Sequence, residues 1–274
     1  MKVIAYNILT GLCNKGKNGD YHKNSKREIL VKEVIKKENA DIVILSEVCF
    51  LRKNKSAVLQ NYKKIFGYAY WFGATDNYFA EIDWGVGVLS KFPIVKAYDY
   101  NTKHSRFVRV LIKIKNKIIT IDAVHPDQYH NEHQRAQWFK TVIRDRKDPY
   151  IIAGDFNAFS PQDKYDKNDL IAGFETYYKT EEAYKAKSVV EDILQGKAIK
   201  TLIKAGLADT FKVKNKNFDY TFHTSLIGNN TDLSRLDYIF CSKDFKIIDA
   251  GIIKNKLTEQ ASDHYPVYAI LELK

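Results

Sequence analysis

No apolar run in the sequence approaches the roughly 18 consecutive positions that a membrane-spanning helix needs, which excludes such a span from the expected plan. Cysteine is scarce. Cys13, Cys49 and Cys241 are odd in number, widely spaced and in no metal-ligand pattern, which suits a reducing interior without disulfides. The opening MKVIAYNILTG lacks a small-residue cleavage site and passes straight into alternating apolar residues. It reads as a first strand rather than a secretory signal, so the expected compartment is the cytoplasm. No Walker-type GxxxxGKS/T is present, which argues against nucleotide-driven work, and GDFNA is not a phosphate-cradling glycine loop. Nor is there a Pro/Gly/Ser linker, an internal repeat or a low-complexity tract. Residues 1–274 are therefore expected to form a single domain.

The composition that remains is globular: 45% hydrophobic and 13% aromatic residues exclude a disordered chain, and 274 residues can bury a sizeable core. The net charge of +11 comes almost entirely from lysine. A basic surface holds polyanions by releasing their counterions. Yet no arginine-rich patch stands out, and lysine is abundant alongside Asn and Ile, as in a composition-biased genome. Charge alone does not choose a partner, and nothing in the sequence calls for an obligate protein partner.

Short apolar runs recur from end to end: VIAYNIL (3–9), DIVILSEV (41–48), WGVGVLS (84–90), VRVLIKI (108–114), IITIDAVH (118–125), YIIAGDF (150–156), RLDYIFCS (235–242) and YPVYAILEL (265–273). Most are β-branched or aromatic-rich and short, which predicts strands. Helical spacing lies between them, at 25–40 with Ser25 as N-cap, at 131–146, and over part of 180–206. The charged PQDKYDKNDL (161–170) reads as a loop. Some strands are apolar on both faces and others alternate, which predicts two sheets packed face to face with helices outside.

Polar residues close these strands. Asn7 sits in the first, Glu47 ends the second, and His125 ends IITIDAVH. Asp155 and Asn157 follow IIAG, Asp237 lies in RLDYIF, and Asp263 with His264 opens the last strand. Strand ends of a packed sheet converge at one edge, so the set can share one pocket. Crowded acids repel and call for a cation, and oxygen donors suit a hard ion, Mg²⁺ or Mn²⁺. The amides of Asn7 and Asn157 can donate to phosphate without adding charge. Two histidines can stabilise the charge of a five-coordinate phosphorus, and a remaining carboxylate can take a proton from water. The inventory suits metal-assisted hydrolysis of a phosphoester. Gly154 lets the backbone turn closely after its strand.

With these residues in order, the sequence resembles the endonuclease/exonuclease/phosphatase superfamily, the fold of deoxyribonuclease I. The matches run over nearly the whole chain: AYNI with Asn7, LSEV with Glu47, GVLSKFPI (87–94), VHPD with His125, GDFNA, RLDYIF, and SDHYPV with Asp263 and His264. SDH alone is weak and GDFN moderate; all of them in order are strong. The resemblance implies an α/β protein, a four-layer α/β/β/α sandwich of two mixed β-sheets, with one catalytic domain over 1–274. It implies Glu47 as the main metal ligand, with Asn7 and Asp263 completing or supporting the shell. It further implies Asp155 orienting or deprotonating the attacking water, Asn157 holding the phosphate, His264 braced by Asp237, and His125 donating from the other side. Apurinic-site endonucleases of the exonuclease III type carry tyrosine where His125 stands, so the chain leans towards the deoxyribonuclease I and general phosphodiesterase branch. Pro126 stands where many relatives have leucine. The stretch 160–208 matches nothing in the family pattern.

Three function readings follow. The first is a Mg²⁺-dependent phosphodiesterase acting on nucleic acid. The second changes the substrate to a lipid, inositide, sugar or other small phosphoester, because a fold does not choose among them. The third is an inert binding scaffold, which predicts loss of catalytic groups; none is missing. Each residue also has a plainer reading, such as Asp237 pairing with Arg235 or His125 as a satisfied core histidine. The cluster HPDQYHNEH admits a zinc site at His125, His130 and His133, but a fixed third ligand is lacking, and exposed histidines at a helix start are expected instead. Arg135 and Gln137 are expected at the surface or between layers. Trp71, Phe72 and Trp84 read as core, or as an aromatic rim that stacks bases or meets a lipid headgroup.

Overall fold

The computed structural model describes residues 1–15, 21–51, 62–76, 82–102, 105–178, 185–227 and 233–274. Two six-stranded mixed sheets pack against each other. The first runs β13 (Phe245–Ile252), β14 (Val267–Leu273), β1 (Lys2–Asn7), β4 (Ile42–Leu51), β6 (Ile82–Ser90), β5 (Tyr70–Asp76). The second runs β11 (Ala208–Asp209), β12 (Asp237–Cys241), β10 (Tyr150–Asp155), β9 (Lys117–Val124), β8 (Arg106–Ile114), β7 (Ile94–Asn101). A small hairpin pairs β2 (Cys13–Lys15) with β3 (Tyr21–Lys23).

Strand alternation builds the layers. In β1, Val3 and Ala5 face the second sheet and pack with Ile121, Ala123, Ile151 and Ile239. Ile4 and Tyr6 face the other way, onto Val31, Val34 and Ile35 of helix α1 (Ser25–Glu38) and Ala261 of α7 (Thr258–Ala261). The outer face of the second sheet is covered by α2 (Glu132–Arg144) and α5 (Lys197–Lys204), through Trp138, Phe139, Val142, Ile199 and Leu202. Helix, sheet, sheet, helix is the order of layers, as the alternating and doubly apolar strands predict. A further pair, α3 (Lys167–Tyr178) and α4 (Ala186–Ile193), packs with Phe159 and Leu236 at one end, and α6 (Thr210–Lys214) follows β11.

Several boundaries differ from the sequence reading. The N-cap of α1 is Asn24, whose side chain accepts from Arg27 N, and Ser25 is already helical. Helix α2 begins after Asn131, in a capping box with Gln134. The predicted loop at 161–170 gives way at Lys167 to α3, where Asp166 accepts from the backbone N–H groups of Asn168 and Asp169. The helix expected within 180–206 is two, α4 and α5, broken at Gly196 in a left-handed conformation; its start, 179–184, lies outside the described residues. Arg135, expected at the surface or between layers, is buried between them, against Glu132 at 3.0 Å. Cys13, Cys49 and Cys241 are buried and form no disulfide. Among the described residues no helix is long and apolar enough to cross a membrane.

Candidate active site

The two sheets present their polar strand ends to one cleft of about 1240 Å³, which Glu47, His125, Asp155, Asn157, Asp263 and His264 all line. Asn7 and Asp237 lie just beneath, both buried. Residues scattered along the chain therefore meet, as the sequence pattern predicts.

Local backbone explains how each side chain arrives. Glu47 is the extra residue of a bulge in β4, where the register to β6 shifts between Ser46 and Val48. Its φ of 59° is left-handed, rare for a glutamate, and the bulge turns its carboxylate into the cleft. Gly154 has φ 143°, and a Cβ there would overlap the carbonyl oxygen of Val124, so only glycine lets β10 run this close to β9. Asn157 follows at φ 46°, which asparagine tolerates. Its N–H donates to Asp155 Oδ1 at 2.9 Å, and its side-chain nitrogen donates to the Pro126 carbonyl at 2.9 Å. His125 stands one residue beyond β9 rather than within it, and Asp263 and His264 precede β14 rather than opening it.

Asn7 joins the sheets. Its amide nitrogen donates to Glu47 Oε1 at 2.9 Å and to Asp155 Oδ2 at 3.0 Å, while its oxygen accepts from Leu9 N at 3.0 Å. Thr10 N donates to the other Glu47 oxygen at 2.7 Å. Asp155 Oδ2 also faces two imidazoles, with His125 Nε2 at 3.6 Å and His264 Nε2 at 3.8 Å. Behind His264, Nδ1 meets Asp237 Oδ2 at 2.8 Å. The pairing of Asp237 with Arg235 does not occur: Arg235 is buried against Asp163 at 2.7 Å and Asp209 at 2.8 Å.

The electrostatics follow from burial and spacing. Burial opposes charge on His264, but Asp237 and Asp155 outweigh it and hold the imidazole well above the ordinary histidine range. Burial also pushes the Asp263 carboxyl up to about 6, with the Glu47 charge adding to it against the pull of His264. A buried carboxyl raised beside another carboxylate is the arrangement that a hard cation relieves, and oxygen donors fit Mg²⁺ or Mn²⁺. Among the described residues, the one cluster whose ligand atoms all lie within 4.8 Å of one another is Asp155, Asp237 and His264. Glu47 and Asp263, which line the same cleft, supply further oxygen donors of the kind a hard cation takes. His130 and His133 join no such cluster.

Sequence reasoning missed the hydroxyls that hold this frame. Ser46 Oγ accepts from Asp155 N at 3.0 Å across the sheets, and Ser262 Oγ donates to the Asn7 carbonyl at 2.7 Å. Thr221 Oγ1 accepts from Leu236 N and Asp237 N. Of these, only Ser46, inside LSEV, and Ser262, the first residue of SDH, lie within a motif. Of the tryptophans read as core, Trp71 packs beneath the first sheet, as does Phe72 between the sheets, while Trp84 lines the cleft.

This edge-of-two-sheets geometry defines a class. The chain belongs to the endonuclease/exonuclease/phosphatase family, whose model matches residues 4–264. Members of that family are phosphoester hydrolases. Among solved structures, a family protein from Leptotrichia buccalis C-1013-b is 20% identical, with TM-score 0.66 and full coverage of both chains (100% and 100%). A family protein from Bacteroides vulgatus is 19% identical, with TM-score 0.65, covering 100% of this chain and 98% of its own. The 3′ phosphatase NExo from Neisseria, bound to product DNA hairpin, is 18% identical, with TM-score 0.63 and 99% coverage of each chain. These likenesses establish the fold. Comparison with curated proteins finds no match.

Proposed function

We propose that the chain is a Mg²⁺- or Mn²⁺-dependent phosphodiesterase. The observation that carries this reading is the convergence on Asp155 Oδ2 of Asn7 Nδ2 at 3.0 Å, His125 Nε2 at 3.6 Å and His264 Nε2 at 3.8 Å. A carboxylate oxygen ringed by donors, open to a cleft, can orient a water and take its proton.

In this reading Glu47 and Asp263 hold the cation, and Asn7 fixes the Glu47 carboxylate while supporting the shell. The cation, when bound, neutralises phosphate charge and lowers the barrier to in-line attack. Asp155 aims the water at phosphorus and accepts its proton. His264, charged and braced by Asp237, faces the phosphate and stabilises the oxyanion of the transition state, and His125 donates from the opposite side. Asn157 sets the cleft floor beside the phosphate: its backbone N–H steadies Asp155, and its side chain ties that turn to Pro126.

The net charge of +11, and the DNA bound by NExo, speak for nucleic acid as substrate. A second reading, a small or lipid-like phosphoester, is favoured by the cleft itself, where Trp84, Phe159, Phe174 and Phe222 share the lining with the polar groups. Assays of DNA, RNA and small phosphoesters with Mg²⁺ and with EDTA test the proposal, run on wild type and His264→Ala. Full-rate hydrolysis in EDTA sinks the metal mechanism. Steep salt dependence of substrate binding selects the polyanion; a flat response selects the small phosphoester.

A further inference from the structure

The described parts of 160–208, where the sequence reading placed no motif, build a wall of the candidate active site. Helices α3 and α4 bring Phe174, Val189 and Ile193 to the cleft, next to Phe159 and Leu236. The apolar cluster formed by α3, α4, Phe159 and Leu236 also takes in Phe222, whose ring centroid lies 4.9 Å from that of His264. Apolar surface therefore runs without a break from the histidine that faces the phosphate to the two outer helices.

Polar groups along this wall are already engaged. Thr176 donates its hydroxyl to the Ala172 carbonyl at 2.9 Å, and Ser188 donates to the Lys185 carbonyl at 2.8 Å. Asp192 accepts from the N–H of Glu132 at 2.7 Å. The donors of Thr176 and Ser188 are therefore spent within the helices, and the wall offers a nucleobase's acceptors little. Cations are few as well. Among the described residues lining the cleft no lysine occurs, and Arg106 and Arg135 are paired with Asp99 and Glu132.

We infer that the preferred substrate is a phosphodiester with an aliphatic chain on one esterifying alcohol, and that the chain lies along Phe222, Leu236, Phe159, Ile193, Val189 and Phe174. The inference rests on the phosphodiesterase reading of the same site and names its substrate class. The scissile phosphate stays with the polar end, so chain length acts on binding and leaves the bond-breaking step, water oxygen to phosphorus with loss of the other alcohol, unchanged.

The test compares p-nitrophenyl octyl phosphate, p-nitrophenyl methyl phosphate and thymidine 5′-(p-nitrophenyl phosphate), all with Mg²⁺. Wild type is expected to favour the octyl ester over the methyl ester by at least about tenfold in kcat/KM, which burial of two methylenes supplies. Val189→Asp is expected to bring that ratio near one, and Phe174→Ala to lower it severalfold should the aspartate impair folding. Equal rates on octyl and methyl esters, or a faster thymidine ester, overturn the inference. Calorimetry of octyl and methyl phosphate binding to metal-free protein separates it from the catalytic reading. Tighter octyl binding that Val189→Asp abolishes supports the wall even if no diester is cleaved; equal binding overturns it.

Discussion

His264 presents Nδ1 to Asp237 at 2.8 Å and turns its other ring nitrogen towards Asp155 at 3.8 Å, so one imidazole stands between a buried support and the reaction cleft. Asp237 does not line the cleft. It acts by holding the ring's orientation and charge. Asp237→Asn is expected to lower kcat by about 100-fold or more, the lower range for a mispositioned acid–base group, with KM changed little. A variant with the wild-type kcat contradicts the arrangement.

Gly154 is the point where the backbone of β10 meets the Val124 carbonyl, at φ 143°. Gly154→Ala combines a steric overlap with a conformation that L side chains rarely adopt. The expected loss is about 3 kcal/mol of stability, read as a lower urea midpoint at unchanged slope. An unchanged midpoint shows that β10 can move away from β9 without cost.

Arg235 is wholly buried, with Asp163 and Asp209 on its guanidinium and the Tyr238 ring 4.4 Å from its Cζ. It ties the segment after Phe159 to the start of β12. Arg235→Ala leaves the buried Asp209 without its cation and Asp163 with Lys212 alone, at 3.2 Å, and is expected to cost about 3–5 kcal/mol. Circular dichroism melts of the variant test this. A melting temperature within a degree or two of wild type would sink the idea.

Glu259 accepts from the Ser225 N–H and hydroxyl, and from the Tyr265 hydroxyl. Burial opposes its charge, and these donors outweigh it, holding the carboxyl below the ordinary range. The folded value is thus lower than the unfolded one near 4.3. Its stabilisation is present above that pH and lost as pH falls through the folded value. The group is partly exposed, so the gap between wild type and Glu259→Gln is expected to be below about 1 kcal/mol at neutral pH. Urea titrations between about pH 6 and pH 3.5 should show that gap closing with acid. A gap that widens with acid contradicts the assignment.

The central strands and the candidate site were legible in the sequence for the same reason. Strands such as Ile151–Ala153 are buried on both faces and carry only apolar residues, so Asp155 stood out against them. Of the strands that escaped, β5, β7, β11 and β13 are the edges of the two large sheets, and β2 and β3 form the small hairpin. An edge strand is less covered than a central one, and Ile94–Asn101 leaves Lys96, Asp99 and Asn101 exposed. Helix α3 escaped because its charged first turn resembles a loop, although Asp166 was a readable cap. The bulge at Glu47 and the Ser46, Ser262 and Thr221 hydroxyls depend on which strands become neighbours, and no local pattern encodes that.

The most direct test of the site is the Mg²⁺ dependence of hydrolysis of one simple diester, bis(p-nitrophenyl) phosphate, by wild type and Glu47→Gln. With Glu47 as a cation ligand, wild type should lose activity in EDTA and regain it with Mg²⁺. The variant should need far more Mg²⁺ to reach half of its maximum. Identical Mg²⁺ midpoints for the two proteins, or hydrolysis indifferent to EDTA, would contradict the account.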